Sequence, residues 1–297
     1  MSLDLQGIFV PLATPFDEQG QLNEPELRRL LRRLAPYVDG FVPNGTTGDF
    51  PLLSTSERQR ILEIVVDETG EEKWIIAGIG AIATRETVSL AKSAHQTGAD
   101  AVLAVKPYYV RPTRAGLRDH FLTIAESVPD VPVLLYNFPK LMGQEIPVDV
   151  VSELTDRAAN VVGMKDSSGQ LPYTLSIIEA TPAAFNVLVG HGALLLPAVA
   201  MGAAGAILAA ANLIPHAYRA MYEAALRNDW ETARSLQSRI YPIAAAVAGY
   251  GSLAVRAGLS YLGLAMGEPR LPLSNEATFT PSELERFHAA LDDIQDV

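Results

Sequence analysis

Val161-Val162-Gly163-Met164-Lys165-Asp166-Ser167-Ser168-Gly169 reads as a short buried strand whose last residue is a lysine, followed by a polar turn that opens a helix. A lysine held at the mouth of an apolar strand loses hydration, which penalises the ammonium relative to the neutral amine. A neutral amine is a nucleophile, and its natural partner is a carbonyl carbon, giving a Schiff base. The ordinary alternative is a lysine whose stem packs while its charge reaches solvent. The rest of the chain decides between them.

Outward from this stretch, two textures alternate. On the N-terminal side, Gly7-Ile8-Phe9-Val10-Pro11 reads as a first strand, and Leu27, Leu30, Leu31 and Leu34 fall on one helix face. Gly40-Phe41-Val42-Pro43 is a second strand, and Ser54-Thr55-Ser56-Glu57 is a capping box that opens the next helix. Further strands are expected at 74–79, 101–105, 132–136, 161–165, 186–190 and 205–209, with helices near 84–97, 115–128, 147–157, 172–181 and 193–201. The strands are apolar nearly throughout, as parallel strands covered on both faces are. Eight strand–helix units in about 220 residues predict an α/β fold of (β/α)8 barrel type. A doubly wound sheet would call for a Gly-x-Gly-x-x-Gly turn after the first strand, and none follows it.

After residue 214 only helical periodicity continues, and Thr280-Pro281-Ser282-Glu283 caps a last helix. Residues 1–214 are therefore expected to form the barrel core. Residues 215–297 are expected to form the last barrel helix and a C-terminal helical extension of the same domain.

The chain has 297 residues, 48% of them hydrophobic, enough for a sizeable core. Its net charge of −11 disfavours nucleic acid, whose phosphates need a basic face. The most apolar stretch, 192–215, is broken by Pro197, Gly202 and Gly205, so no membrane span is expected. Residues Met1 to Leu5 show no signal-peptide pattern, and there is no cysteine, so the expected setting is cytoplasmic.

In a barrel the active site lies at the C-terminal ends of the strands. That rule singles out Thr14, Asn44 to Asp49, Lys106 to Tyr109, Tyr136 to Pro139, Lys165 to Ser168, Gly190 to Gly192, and Ile207. Five scattered histidines, without ligand spacing, argue against a metal centre. Neither a Gly-x-Ser-x-Gly elbow nor a Walker loop is present.

What remains is lysine, tyrosine, threonine and backbone amides. Gly45-Thr46-Thr47-Gly48 can form an anion nest suited to a carboxylate, or an ordinary glycine turn. Tyr136 ends the strand next to that of Lys165, so its phenol either serves the lysine or packs in the core. Lys106 also ends a strand. Lys165 is preferred because it shares inward parity with Val161 and Gly163, and Gly163 leaves room for its stem and a substrate. Pro107 bends the chain out after Lys106.

Thr14-Pro15-Phe16, Gly45-Thr46-Thr47-Gly48-Asp49, Pro107-Tyr108-Tyr109, Tyr136-Asn137-Phe138-Pro139 and Gly163-Met164-Lys165-Asp166-Ser167 fall in order at strand ends. Together, over essentially the whole chain, they resemble the dihydrodipicolinate synthase / N-acetylneuraminate lyase superfamily of pyruvate-dependent class I aldolases. The resemblance implies a homotetramer, a dimer of dimers, that needs no cofactor because Lys165 itself forms an imine with pyruvate. It makes Tyr136 the acid/base phenol. It places the pyruvate carboxylate on Thr46 and Thr47, with Gly48 and Gly190 beside the substrate, and puts Thr46 in the proton relay. Tyr109 corresponds to a relay tyrosine that crosses a dimer interface in synthases, and Ile207 to a position lining the site from strand 8.

Departures bear on the second substrate. Synthases carry an arginine five residues after the strand-5 tyrosine, where this chain has Leu141; losing that charge-assisted contact counts against lysine biosynthesis. Sialic acid lyases carry an acidic pair after the strand-7 glycine, where this chain reads Gly190-His191-Gly192-Ala193. Asp49-Phe50-Pro51 and Ala211-Asn212 look more like the remaining members. The expected activity is cleavage of a 2-keto-3-deoxy sugar acid to pyruvate and an aldehyde. The alternatives are 4-hydroxy-2-oxoglutarate aldolase, 4-hydroxy-tetrahydrodipicolinate synthase, sugar acid dehydratase, or a binding protein that keeps the barrel without the reaction.

Overall fold

The structure, a computed structural model, describes residues 5–276 and 278–297. The reading of residues 1–4 as lacking a signal lies outside the described residues. Eight strands, β1 Gly7–Pro11, β2 Gly40–Val42, β3 Trp74–Gly78, β4 Ala101–Val105, β5 Val133–Asn137, β6 Val161–Asp166, β7 Asn186–Val189 and β8 Gly205–Ile207, form a closed barrel in chain order. Every pairing is parallel, and β8 returns to pair with β1. The closed ring makes this a (β/α)8 barrel, as the alternation predicts.

The connecting helices are α1 Glu24–Leu34, α2 Thr55–Thr69, α3 Thr84–Thr97, α4 Arg114–Ser127, the single-turn α5 Pro139–Met142, α6 Val148–Arg157, α7 Leu171–Ala180, α8 Leu195–Ala200 and α9 Pro215–Leu226. Three more follow: α10 Trp230–Tyr250, α11 Ser252–Tyr261 and α12 Pro281–Asp293. The capping boxes at Ser54 and Thr280 form as expected. No helix among the described residues is long and apolar enough to cross a membrane.

Alternation along the strands builds two cores. Ile8, Val10, Phe41, Ile75, Val102 and Met164 face outward onto the helices, where Leu27, Leu30, Leu31 and Leu34 of α1 are all buried. Burying each such leucine contributes about 1.5–3 kcal/mol. Phe9, Val42, Ile76, Leu103, Leu134 and Leu188 fill the barrel interior below the mouth.

Three readings of the deciding stretch change. β6 runs one residue further, to Asp166, which pairs with Asn137 and Val189. Val161 does not share the parity of Lys165: it pairs with Val133, whereas Gly163 pairs with Leu134, so Val162 is an extra residue in β6. This bulge turns Val161 to the outer core and Val162 to the inner one. Gly163 leaves space for its neighbour, not for a substrate, since a Cβ there would lie 2.6 Å from the Asn186 carbonyl. Elsewhere, the helix expected over 193–201 is a 3-10 turn, Gly192–Leu194, followed by α8, and β8 gives way to a 3-10 turn at Ala209–Asn212.

Candidate active site

Lys165 on β6 and Tyr136 on β5 are register partners, and both side chains point into the mouth of the barrel. Lys165 Nζ lies 4.3 Å from the centroid of the Tyr136 ring. The ammonium makes no hydrogen bond or ion pair among the described residues and lines a cavity of about 500 Å3. The Tyr136 hydroxyl is 3.3 Å from Thr46 Oγ1, which links the phenol to the turn after β2. The Tyr136 ring also stacks on Phe138, 6.0 Å between centroids.

The lysine stem is held by what flanks it. Gly190 after β7 is the residue that leaves room: a Cβ there would sit 3.2 Å from Lys165 Cε and 1.9 Å from Ser167 Oγ. Asp166, next to the lysine, turns the other way and accepts four bonds, from Asn137 Nδ2, Ser168 N, Ser168 Oγ and Thr174 Oγ1. Asn137 in turn accepts the Ile146 amide. This buried network fixes the ends of β5 and β6 against each other, and so fixes the tyrosine–lysine pair.

Gly45-Thr46-Thr47-Gly48 forms a 3-10 turn whose own bonds run from the Gly48 and Asp49 amides to the Gly45 and Thr46 carbonyls. The Thr46 and Thr47 amides lie outside that ladder, at the start of the turn. Thr14 Oγ1 donates to the Gly48 carbonyl at 2.8 Å and anchors the turn from the loop after β1. Asp49 follows in the left-handed region, φ 55°, with its carboxylate 3.6 Å from the buried Arg256 guanidinium. Burial pushes the Asp49 carboxyl above its usual range, against opposing contacts from Ser252 and Arg256.

The outer wall comes from the C-terminal helices, which the sequence reading treated only as an extension. The end of α10 and the start of α11 bring Ala244, Val247, Ala248, Tyr250, Ser252 and Leu253 to the cavity, and Pro272 and Leu273 complete that side. Across from them stand Phe138, Lys140 and Leu141 from the β5–α6 connection. Lys140 Nζ reaches the Ala248 carbonyl at 3.4 Å. His191 lines the cavity as well; burial, aided by Lys140 and Lys165, pushes it below the usual imidazole range against the pull of Asp166. Lys140 and this wall were missed by the sequence reading, and Ser167 stood among the strand-end residues without being given a role. The small-residue run Ala244-Ala245-Ala246-Val247-Ala248-Gly249 was the available signal that a helix lies close against something.

Not every expected residue arrives. Lys106 is fully buried and points away from the cavity, donating to the Met142 carbonyl at 2.9 Å and the Pro107 carbonyl at 3.4 Å. Pro107 therefore does not carry it outward; its ammonium ties down the end of α5, and burial pushes it below the usual lysine value. Gly48 does not line the cavity, because its Cα faces the segment just after β1, where a Cβ would meet the Leu12 carbonyl at 2.7 Å. Ile207 is fully buried in the inner core, and Ala209 and Ala210 form the cavity wall beyond β8 instead. Tyr109 is 94% exposed with φ 70° and stays outside the cavity of its own chain. Tyr108 packs edge-on against Phe50. Among the described residues no cluster of three or more His, Asp or Glu side chains is placed to hold a metal ion.

Residues 4–292 match the family described as the dihydrodipicolinate synthetase family. The 4-hydroxy-tetrahydrodipicolinate synthase of Methanopyrus kandleri is 38% identical over 289 residues, 96% of each chain. The solved structure of the synthase of that name from the methanotroph Methylacidiphilum fumariolicum superposes with a TM-score of 0.93 at 35% identity, covering 98% of this chain and 96% of the other. YagE, a prophage protein of E. coli K12 solved in complex with pyruvate, superposes at 0.91 with 28% identity, covering 98% and 99%. The expected leaning toward sugar-acid aldolases finds no support here, since the curated relatives carry the synthase name.

Proposed function

The chain belongs to the dihydrodipicolinate synthetase family and is a pyruvate-dependent lyase of the class I aldolase type, and on that premise we propose that it works through a pyruvate imine on Lys165. The observation that carries this reading is the lysine lodged 4.3 Å over the Tyr136 ring, facing the cavity, with the phenol in reach of Thr46.

In this reading Lys165 Nζ attacks the ketone carbon of pyruvate while the Thr46 and Thr47 amides hold the carboxylate. Loss of water gives the imine, which withdraws electrons from the neighbouring methyl and lets it lose a proton. The resulting enamine adds to an aldehyde, or the same steps run backward to cleave one. Tyr136 supplies and removes the proton, with Thr46 Oγ1 relaying it. Such a positioned acid/base contributes about 10²–10⁴ in rate. No cofactor is called for, because the imine is the electron sink. Tyr109, exposed and held in a left-handed conformation, completes the relay in the site of a second copy, within a homotetramer.

The names of the relatives make aspartate semialdehyde, the substrate of 4-hydroxy-tetrahydrodipicolinate synthesis, the first aldehyde to assay. Against it stands Leu141 in place of the synthases' arginine. Cleavage of a sugar acid is the other reading of the same site.

Exchange of the pyruvate methyl protons with deuterated solvent, followed by NMR, tests the proposal without any aldehyde. Wild-type protein is expected to wash the methyl signal out, Tyr136→Phe to slow this, and Lys165→Ala to abolish it. Undiminished exchange in Lys165→Ala would overturn the assignment.

A further inference from the structure

Two lysines line the cavity. Lys165 is buried, and Lys140, on the single turn α5, is exposed. The proposed imine commits Lys165, and the Thr46 and Thr47 amides take the pyruvate carboxylate. Lys140 has no part in those steps. About 500 Å3 exceeds what pyruvate fills, so the second substrate shares the cavity with Lys140.

Lys140 Nζ reaches the Ala248 carbonyl at 3.4 Å, longer than an ordinary N–H···O bond, and is in no ion pair among the described residues. The turn that carries it is fixed. The Gly143 amide donates to the Pro139 carbonyl at 2.9 Å, and the buried Lys106 donates to the Met142 carbonyl, also at 2.9 Å. A flexible charge therefore stands on a rigid base.

The other polar groups of the lining do not cancel that charge. Asp49, the one carboxylate there among the described residues, already faces Arg256 and Ser252. The Tyr250 hydroxyl is bonded to Glu283 Oε1 at 2.9 Å. His191 lies below the usual imidazole range, first through burial and further through Lys140 and Lys165, so it feels both lysines. As a neutral ring it can still bond an anion or a hydroxyl. The chain carries a net charge of −11, yet its cavity sets two lysines against one paired carboxylate. Such a cleft draws negative charge.

We infer that Lys140 receives the charged group of the second substrate, which is therefore an anionic aldehyde bearing a carboxylate or a phosphate. The inference rests on the imine chemistry proposed above, and it narrows both readings of the site. Aspartate semialdehyde meets the requirement through its carboxylate. A sugar acid meets it when the aldehyde it releases is phosphorylated. A lysine–anion hydrogen bond at an exposed position strengthens binding roughly tenfold.

The test is kcat/KM of the full chain with pyruvate and two matched pairs: aspartate semialdehyde with its methyl ester, and glyceraldehyde 3-phosphate with glyceraldehyde. Pyruvate methyl exchange is run on the same preparations. In the wild type the charged member of at least one pair is expected to exceed its neutral partner roughly tenfold. The pair that shows this tells carboxylate from phosphate. Lys140→Met is expected to erase that ratio through a higher aldehyde KM, and Lys140→Arg to keep most of it; taking the ratio cancels any general loss of activity. Methyl exchange without a charged preference in either pair, or without turnover of any of the four, would overturn this inference and leave the imine standing. A charged preference that survives Lys140→Met would overturn it too, because another group would then hold the anion. Absence of methyl exchange would remove both readings.

Discussion

Tyr136 and Lys165 are register partners on neighbouring strands, and the phenol that carries the lysine on its ring face also reaches Thr46 Oγ1 at 3.3 Å. Ring and hydroxyl therefore have separable roles. Tyr136→Phe keeps the ring surface under Lys165 Nζ and removes only the hydroxyl, the group proposed to carry the proton. It is predicted to lower kcat by about 10²–10⁴ while the pyruvate KM stays near that of the wild type. Thr46→Val is predicted to lower kcat less. Steady-state kinetics against pyruvate check both, and a Tyr136→Phe enzyme with wild-type kcat would remove the phenol from the chemistry.

Gly190 makes room for the Lys165 stem. In Gly190→Ala the new methyl collides with Ser167 Oγ, which can rotate away, and presses on Lys165 Cε at 3.2 Å. The variant is predicted to fold with a modest loss of Tm and to lose at least tenfold in kcat. Adding Ser167→Ala is predicted to recover Tm without recovering kcat. Thermal unfolding and kinetics on the single and double variants separate displacement of the lysine from general damage to the fold.

Arg256 joins the C-terminal helices to the mouth of the barrel. It is buried and donates to the carbonyls of Thr14, Met266 and Gly267, and it lies 3.6 Å from the buried Asp49 carboxylate. Removing one partner of a buried pair leaves the other uncompensated, so Arg256→Met is predicted to destabilise the fold by about 3–5 kcal/mol. Adding Asp49→Asn is predicted to return part of that. Urea unfolding of the single and double variants measures the coupling.

These relations show what could be read from the chain and what could not. Lys165, Tyr136 and the Gly45–Gly48 turn were legible because each combines a local apolar run with an abrupt polar end, and barrel topology then places such ends together. The Val162 bulge was not, since parity along one strand says nothing about the partner it slips against. Nor was the outer wall: α10 and α11 return to the mouth from far along the chain, and Asp49 and Arg256 meet only in space. Lys106 looked like a loop residue because a proline follows it, yet its ammonium is buried against the Met142 carbonyl, a contact that local sequence does not encode.

His120 on α4 gives the fold an acid limit. It is buried, with Nδ1 2.8 Å from Thr84 Oγ1 and Nε2 without a partner among the described residues. Burial holds its pKa at about 4, below the ordinary 6.5. Between those values the unfolded chain binds a proton that the folded chain refuses. The stabilisation is therefore whole above the unfolded value and is lost as pH falls toward the folded one. The slope is about 1.4 kcal/mol per pH unit, roughly 3 kcal/mol in all. Urea unfolding of wild type and His120→Asn from neutral pH to the folded pKa is predicted to show a shallower slope in the variant. Parallel slopes would mean that His120 takes up its proton in the folded state. The comparison cancels Asp49, Glu145 and His191, which both proteins carry.

The most direct measurement is borohydride reduction in the presence of pyruvate, read by intact mass and peptide mapping on wild type and Lys165→Ala. The account predicts one reduced pyruvyl adduct per chain, on the peptide that contains Lys165, and none in the variant. An adduct on Lys106, or an unmodified wild-type chain, would contradict it.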